Sequence, residues 1–362
     1  MTRGKKVFII AGEVSGDVLG GELMRVALEK NPDMRFVGIG GDMMAAAGLK
    51  TLFSISDLSV MGVGEVMRKS RTLLERIRRA AAAIASEKPD VVLTVDSPSF
   101  ASRVIKRARR AGARTKFYHV VAPMVWAWGA RRAKKYAKIF DRLFCFFDFE
   151  KSYFEKYGLD TEVIGYPIYG IVRREMRNAD KKYIALLPGS RMGEVSKVLP
   201  IYAAVTARRP EYDYAIPVTE TTRDFIGRET KSWRVKPRLI PFAKRYDLYN
   251  ETRFAVSVIG TATAELAIMR VPAVVVWRPS WLTAVVSRFV LKIKWKSLVN
   301  ILAGKKIYPE LNGREVTAEN IIAEAERVDS EKIISELENV DHLWHRGDKS
   351  PMRIVADALV AN

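Results

Sequence analysis

The chain has 362 residues, 61 Lys and Arg against 41 Asp and Glu for a formal charge of +20, and 48% apolar side chains, too hydrophobic for intrinsic disorder and long enough for two domains with ample cores. One cysteine, Cys145, and three histidines exclude a disulfide framework and a cysteine-based metal cluster and leave few ligands for the usual zinc sites. Charge this basic must be held near something anionic: nucleic acid, phospholipid headgroups or phosphorylated small molecules.

The opening, MTRGKKVFIIAGEV, sets basic residues before apolar ones as a signal peptide does. Glu13 ends the apolar run after five residues and no small-residue cleavage site follows, so the segment reads as a first buried strand, Val7–Ala11, and the expected compartment is the cytosol. The turn after it, AGEVSGDVLGG, holds Gly12, Gly16, Gly20 and Gly21. These allow a tight turn and the close approach of a ligand or another backbone. Plain strand-to-helix packing accounts for them equally well, and neither a GxGxxG nor a Walker fingerprint is met.

Arg35–Ile39 is the second expected strand. Arg68–Arg79 then carries six Lys and Arg on a helical pattern with apolar Val66, Leu73, Leu74, Ile77 and Ala81. Strand Val91–Val95 ends in Asp96-Ser97-Pro98; a carboxylate at that strand end could accept a proton from an attacking hydroxyl, or simply cap a turn. Strand Thr115–Val121 contains His119, read as a core or pocket residue. It opens the longest stretch free of Asp, Glu, Lys and Arg, the fourteen residues Phe117–Ala130, short of the roughly 20 that span a bilayer. Arg131–Arg142 holds six more basic residues directly after VWAWG, and strand Arg142–Phe146 follows. Near Tyr166–Asp180, GYPIYG gives way to RREMRNADKK, and the domain break is expected there.

In the second half, strand Lys182–Leu187 runs into Pro188-Gly189-Ser190-Arg191 and a helix. Free amides at that helix start, with the Arg191 guanidinium, would form an anion site suited to a diphosphate; alternatively Ser190 only caps the helix and Arg191 is solvated. Strands Tyr212–Pro217, Phe254–Ile259 and Ala273–Trp277 complete the series. Between the last two, Gly260-Thr261 leads into a helix bearing Glu265, which can hold ribose hydroxyls or merely complement the helix N-terminus. Trp281–Leu298 is a third basic amphipathic segment. Such faces suit an anionic membrane surface or a solvated helix. Trp126, Trp128, Tyr136 and Phe140 interleaved with charge could stack on bases, but no RNA-binding signature accompanies them and no nucleic acid partner is expected.

Strands alternating with helices throughout predict an α/β protein of two doubly wound halves, with ligands at the carboxyl ends of the strands. The motifs AGEVSGDVLGG, VGIGGDMMAAAGL, LSVMGVGEVM, VDSPSF, APMVWAWGARRAKK, ALLPGSRMGEV, GTATAELAIMRVPAVVVWR, SLVNILAGKKIYPEL and VTAEN, in this order over nearly the whole chain, resemble the lipid-A-disaccharide synthase family. The resemblance implies a GT-B glycosyltransferase fold, two Rossmann-like domains facing across a cleft. The first, residues 1–170, would be acceptor- and membrane-facing and the second, 171–344, would bind the UDP-sugar, with a helix in 345–362 returning to the first. It implies an inverting transfer from UDP-2,3-diacylglucosamine to 2,3-diacylglucosamine 1-phosphate, with no cofactor and no metal. The setting implied is the cytoplasmic face of a Gram-negative-type inner membrane, with a homo-oligomer left open. Asp96 would be the general base. Gly16, Asp17, Trp126, Gly189, Ser190, Arg191, Glu194, Gly260, Thr261, Glu265 and Asn300 would bind substrate. The sequence departs from the family pattern at Leu19, where a histidine is usual, and at Ala122, Met124 and Gly313. Another GT-B enzyme with a different lipid or sugar acceptor, a UDP-sugar epimerase, or a non-catalytic protein that binds anionic membrane or nucleic acid are the alternatives.

Overall fold

A computed structural model describes residues 4–55, 66–127, 129–279 and 294–361. Most of the LSVMGVGEVM motif, Trp128 and residues 281–293 of the third basic segment lie outside the described residues.

The chain forms two compact units, Met1–Pro167 with His345–Asn362, and Ile168–Trp344. In the first unit the elements are β1 (Lys6–Ala11), α1 (Val14–Lys30), β2 (Arg35–Gly40), α2 (Asp42–Ala46), β3 (Lys50–Ser54), α3 (Val66–Glu87), β4 (Val91–Val95), α4 (Pro98–Arg110), β5 (Lys116–Val120), α5 (Arg132–Ala137), β6 (Arg142–Cys145), α6 (Asp148–Glu155) and β7 (Asp160–Val163). The second unit holds α7 (Ile168–Glu175), β8 (Tyr183–Leu187), α8 (Met192–Arg208), β9 (Asp213–Val218), α9 (Glu220–Thr230), β10 (Arg238–Pro241), α10 (Arg245–Asn250), β11 (Thr252–Val258), α11 (Thr261–Ile268), β12 (Ala273–Trp277), α12 (Leu298–Ala303), β13 (Glu310–Asn312), α13 (Ala318–Arg327) and α14 (Ser330–Asn339). A last helix, α15 (Pro351–Ala361), belongs to the first unit.

Each unit is built on one parallel sheet. The first runs β3-β2-β1-β4-β5-β6-β7 and the second β10-β9-β8-β11-β12-β13. Strands covered on both faces read as continuous apolar runs, and the twofold alternation of β1 shows why. Phe8 and Ile10 pack into one core with Ile77 and Ile84 of α3 and Val104 of α4. Val7, Ile9 and Ala11 face the opposite core, with Leu23 and Met24 of α1 and Met352, Val355 and Leu359 of α15. In the second unit Leu186, Ile216, Val256 and Val274 pack with Val198 and Tyr202 of α8 and Ile321 of α13.

The strand order reverses between β1 and β4 in the first sheet and between β8 and β11 in the second. At such a switch point the chain leaves neighbouring strands in opposite directions, opening a crevice at their carboxyl ends. The turns that open there are Gly12-Glu13 beside Asp96-Ser97, and Pro188–Arg191 beside Ile259–Thr261. Among the described residues no helix is long and apolar enough to cross a membrane.

Candidate active site

At the first switch point β4 ends in two consecutive left-handed residues, Asp96 (φ 58°) and Ser97 (φ 46°). Each such residue outside glycine costs on the order of 1 kcal/mol and persists only where its surroundings hold it. Here they do. The Asp96 N–H donates to the Val120 carbonyl at 3.0 Å, the Ser97 N–H to Asp96 Oδ1 at 2.7 Å, Ser15 Oγ to Asp96 Oδ2 at 2.9 Å, and Ser97 Oγ to Glu13 Oε1 at 3.1 Å. The end of the next strand carries a further strained residue, Val121, at φ 78°. The Asp96 carboxylate is thus aimed by one hydroxyl and one amide, half-buried, with lone pairs left to take a proton.

The other first-unit residues take structural places. A Cβ on Gly16 would stand 2.8 Å from the Val95 carbonyl, so its absence lets α1 lie against β4. Asp17 departs from the substrate-binding role that the resemblance implies. Buried on α1, it accepts the N–H groups of Gly41 at 2.7 Å, Met43 at 3.0 Å and Met44 at 3.1 Å, capping the free amides of α2. Trp126 is half-buried, edge-on to Phe149 at 5.2 Å, and donates its indole N–H to Glu150 Oε1 at 3.3 Å. Burial pushes the Glu150 carboxyl up to about 7, against N–H donors from Phe146 and Phe147 that favour its ionised form. His119 lies wholly buried, with Nδ1 2.7 Å from Thr94 Oγ1 and its ring stacked on Phe140 at 4.3 Å. Burial pushes it down to about 3, so it is a neutral core residue at physiological pH.

The second switch point is a recess of about 440 Å³ that gathers Gly189, Ser190, Arg191, Glu194, Gly260, Thr261 and Glu265. Gly189 turns the chain at φ +89°, where a side chain would be strained. The N-termini of α8 and α11 open there, so unpaired amides and the positive ends of two helix dipoles meet. Arg191 is exposed, with Glu194 Oε1 3.4 Å from its guanidinium.

Glu265 is buried, and both of its oxygens lie 3.2 Å from Arg245 Nε; Oε1 also accepts from Arg245 at 3.1 Å and from Tyr246 Oη at 3.0 Å. Arg245 stacks over Phe242 at 4.2 Å and Tyr246 at 4.1 Å. The recess therefore holds a second, rigidly mounted guanidinium that sequence reasoning missed, together with Ile168, Thr219, Phe242 and Tyr249. The strand-end rule points to Arg245 only once β10 is known, since Arg245 follows β10 by one short turn.

Asn300 does not line this recess. It is buried on α12, where Nδ2 donates to the Tyr308 carbonyl at 2.8 Å and Glu310 Oε1 at 2.9 Å, and Oδ1 accepts the amides of Ile307 and Tyr308 at 2.8 and 2.9 Å. All its polar groups brace the loop before β13, which leaves none for a nucleotide.

A family model described as lipid-A-disaccharide synthetase matches residues 7–348. A lipid-A-disaccharide synthase of Rhodospirillum centenum is 34% identical over 378 residues, covering 98% of this chain and 94% of that relative. The chain belongs to the lipid-A-disaccharide synthase family. It is a glycosyltransferase. A second such synthase, from Myxococcus xanthus, is 35% identical over 343 residues, covering 91% of this chain and 89% of that one. Among solved structures, a UDP-GlcNAc 2-epimerase of Neisseria meningitidis superposes with a TM-score of 0.65 at 13% identity, covering 99% of this chain and 100% of that one. MurG of Acinetobacter baumannii gives a TM-score of 0.63 at 14% identity with the same coverage. At that identity the likeness is one of fold, and the fold is GT-B.

Proposed function

We propose that this glycosyltransferase joins UDP-2,3-diacylglucosamine to 2,3-diacylglucosamine 1-phosphate, forming the β(1→6) disaccharide 1-phosphate and releasing UDP. In this reading the acceptor 6-hydroxyl attacks the anomeric carbon of the donor. Its proton passes to the Asp96 carboxylate, and the bond from the anomeric carbon to the diphosphate oxygen breaks with its electron pair on UDP. A single displacement inverts the anomeric centre and needs one carboxylate and no enzyme nucleophile, unlike the two-step retaining route.

The observation that carries the reading is the recess at the second switch point, where two arginines, each paired with a glutamate, meet the N-termini of α8 and α11. Arg191, Arg245 and the amides at the start of α8 would meet the diphosphate, whose charge grows as the bond breaks; such preorganised donors stabilise the transition state more than the ground state. With these donors and helix N-termini supplied by the protein, the reaction is expected to need no metal. Glu265 would act on the nucleotide chiefly through Arg245, which it holds in place. Both substrates carry acyl chains, so the enzyme would work at the anionic cytoplasmic face of the inner membrane.

The test is incubation of the full chain in detergent with both substrates and a chelator, following products by mass spectrometry. Disaccharide 1-phosphate with stoichiometric UDP is expected. Conversion of the UDP-sugar without acceptor would replace the reading by an epimerase, and UDP binding without transfer would mean a different acceptor.

A further inference from the structure

Away from the two strand-end sites, the first unit carries a recess of about 580 Å³ whose rim is almost wholly cationic. Lys106, Arg109 and Arg110 stand on the last turns of α4 at spacings i, i+3 and i+4. Opposite them Arg131, Lys134, Lys135 and Lys138 follow at i, i+3, i+4 and i+7, with Arg131 and Lys138 keeping helical dihedrals at the two ends of α5. Each set therefore forms one stripe on one helical face, and the two stripes line the same cavity.

Among the described residues, only Arg109 of these seven has an ion-pair partner, Asp141 at 3.2 Å. Like charges at i, i+4 destabilise a helix. The helix dipole explains cations in the last turn of α4 but not Arg131 at the start of α5. Seven cations held together at a cost to their own helices are the complement of a phosphate-bearing ligand.

The recess is not where the acceptor's own phosphate would sit. At about 1.5 Å per residue, Lys106 and Arg110 lie about 12 and 18 Å along α4 from Pro98, which follows Asp96. That is beyond the reach of a single hexose whose 6-hydroxyl lies at Asp96. We infer that this recess is a headgroup site for anionic phospholipid, which holds the first unit against a phosphate-rich membrane. The inference rests on the membrane setting proposed above. The long Lys and Arg stems can lie along the helices while their charged ends reach the headgroups.

The test is sedimentation of the full chain with vesicles of phosphatidylcholine alone or mixed with phosphatidylglycerol. The triple variant K106A/R110A/K134A is compared with an equal-charge control in the second unit, K231A/R234A/K236A. With roughly 1 kcal/mol available per basic residue at an anionic surface, the recess variant is expected to lose about 100-fold in partition to mixed vesicles. The control should lose little, and transfer between detergent-dispersed substrates should be unchanged in both. Equal losses in the two variants would reduce the effect to bulk charge and overturn the site. A recess variant that binds mixed vesicles normally but no longer binds inorganic phosphate, or a short RNA, would assign the recess to that ligand instead. Wild-type protein that ignores mixed vesicles would bring down the membrane setting itself; wild-type binding with an unaffected recess variant would bring down only the site.

Discussion

Replacing Glu150 by Gln turns a buried charge into a measurable pH dependence. Glu150 is almost completely buried at the start of α6, and burial raises its carboxyl from the ordinary 4.5 to about 7. A carboxyl raised on folding holds its proton more tightly in the folded state, so its ionisation costs stability. Below pH 4.5 both states are protonated and nothing is lost. Between 4.5 and 7 the unfolded chain has released a proton that the folded chain keeps, so stability falls as pH rises; above 7 the loss is complete. At about 1.4 kcal/mol per pH unit the window amounts to about 3 kcal/mol. Urea unfolding of wild type and Glu150→Gln at a series of pH values, read on the transition of the first unit, isolates this contribution, because all other titrating groups cancel in the difference. The stability of wild type relative to the variant should fall by about 3 kcal/mol between pH 4.5 and 7.5. A difference that stays flat through this window would refute the assignment of a buried, proton-retaining carboxyl beside Trp126.

Arg245→Ala removes a charge-assisted contact of about 1.5 to 3 kcal/mol, so UDP affinity measured by calorimetry should fall about 10- to 100-fold, and unchanged affinity would take Arg245 out of the diphosphate site. Ser15→Ala removes the hydroxyl that donates to one oxygen of Asp96; kcat should drop several-fold with KM nearly constant, and a rise in KM alone would show that Ser15 serves binding instead. Asn300→Ala strands the amides of Ile307 and Tyr308, which should cost about 2 to 4 kcal/mol in denaturation while leaving KM for the UDP-sugar at its wild-type value, a result that a nucleotide-binding Asn300 would contradict.

The nine strands expected from apolar runs are the inner strands of the two sheets, whereas β3, β7, β10 and β13 carry no such run. Those four are the edges. An edge strand is covered less completely and need not be a continuous apolar run: Asp160–Val163 and Glu310–Asn312 each carry a single apolar residue, and Arg238–Pro241 has only Leu239 and Ile240 between an arginine and a proline. With no apolar run to mark β10, nothing in the sequence marks Arg245 as a strand-end residue.

The residues at both switch points were legible for the opposite reason. Val91–Val95 and Tyr183–Leu187 are apolar runs that stop abruptly at Asp96 and at Pro188-Gly189, and the parallel topology turns those stops into the mouths of crevices. Asp17 and Asn300 show what motif resemblance leaves open. Both sit inside well-matched motifs, yet one caps α2 and the other braces a loop, and no spacing in the sequence distinguishes a carboxylate or amide that meets a ligand from one spent on backbone amides 24 or 7 residues away.

The most direct test of the proposed chemistry is the single-turnover rate of disaccharide formation by Asp96→Asn, measured beside UDP binding by the same preparation. Asparagine keeps an oxygen for the Ser97 amide and sets its Nδ2 against Ser15 Oγ, which can turn to accept, but it takes up no proton, so transfer should fall by about 100- to 10,000-fold while UDP binds as in wild type. Transfer at the wild-type rate with intact binding would contradict the account, and the proton of the attacking hydroxyl would have to leave by another route.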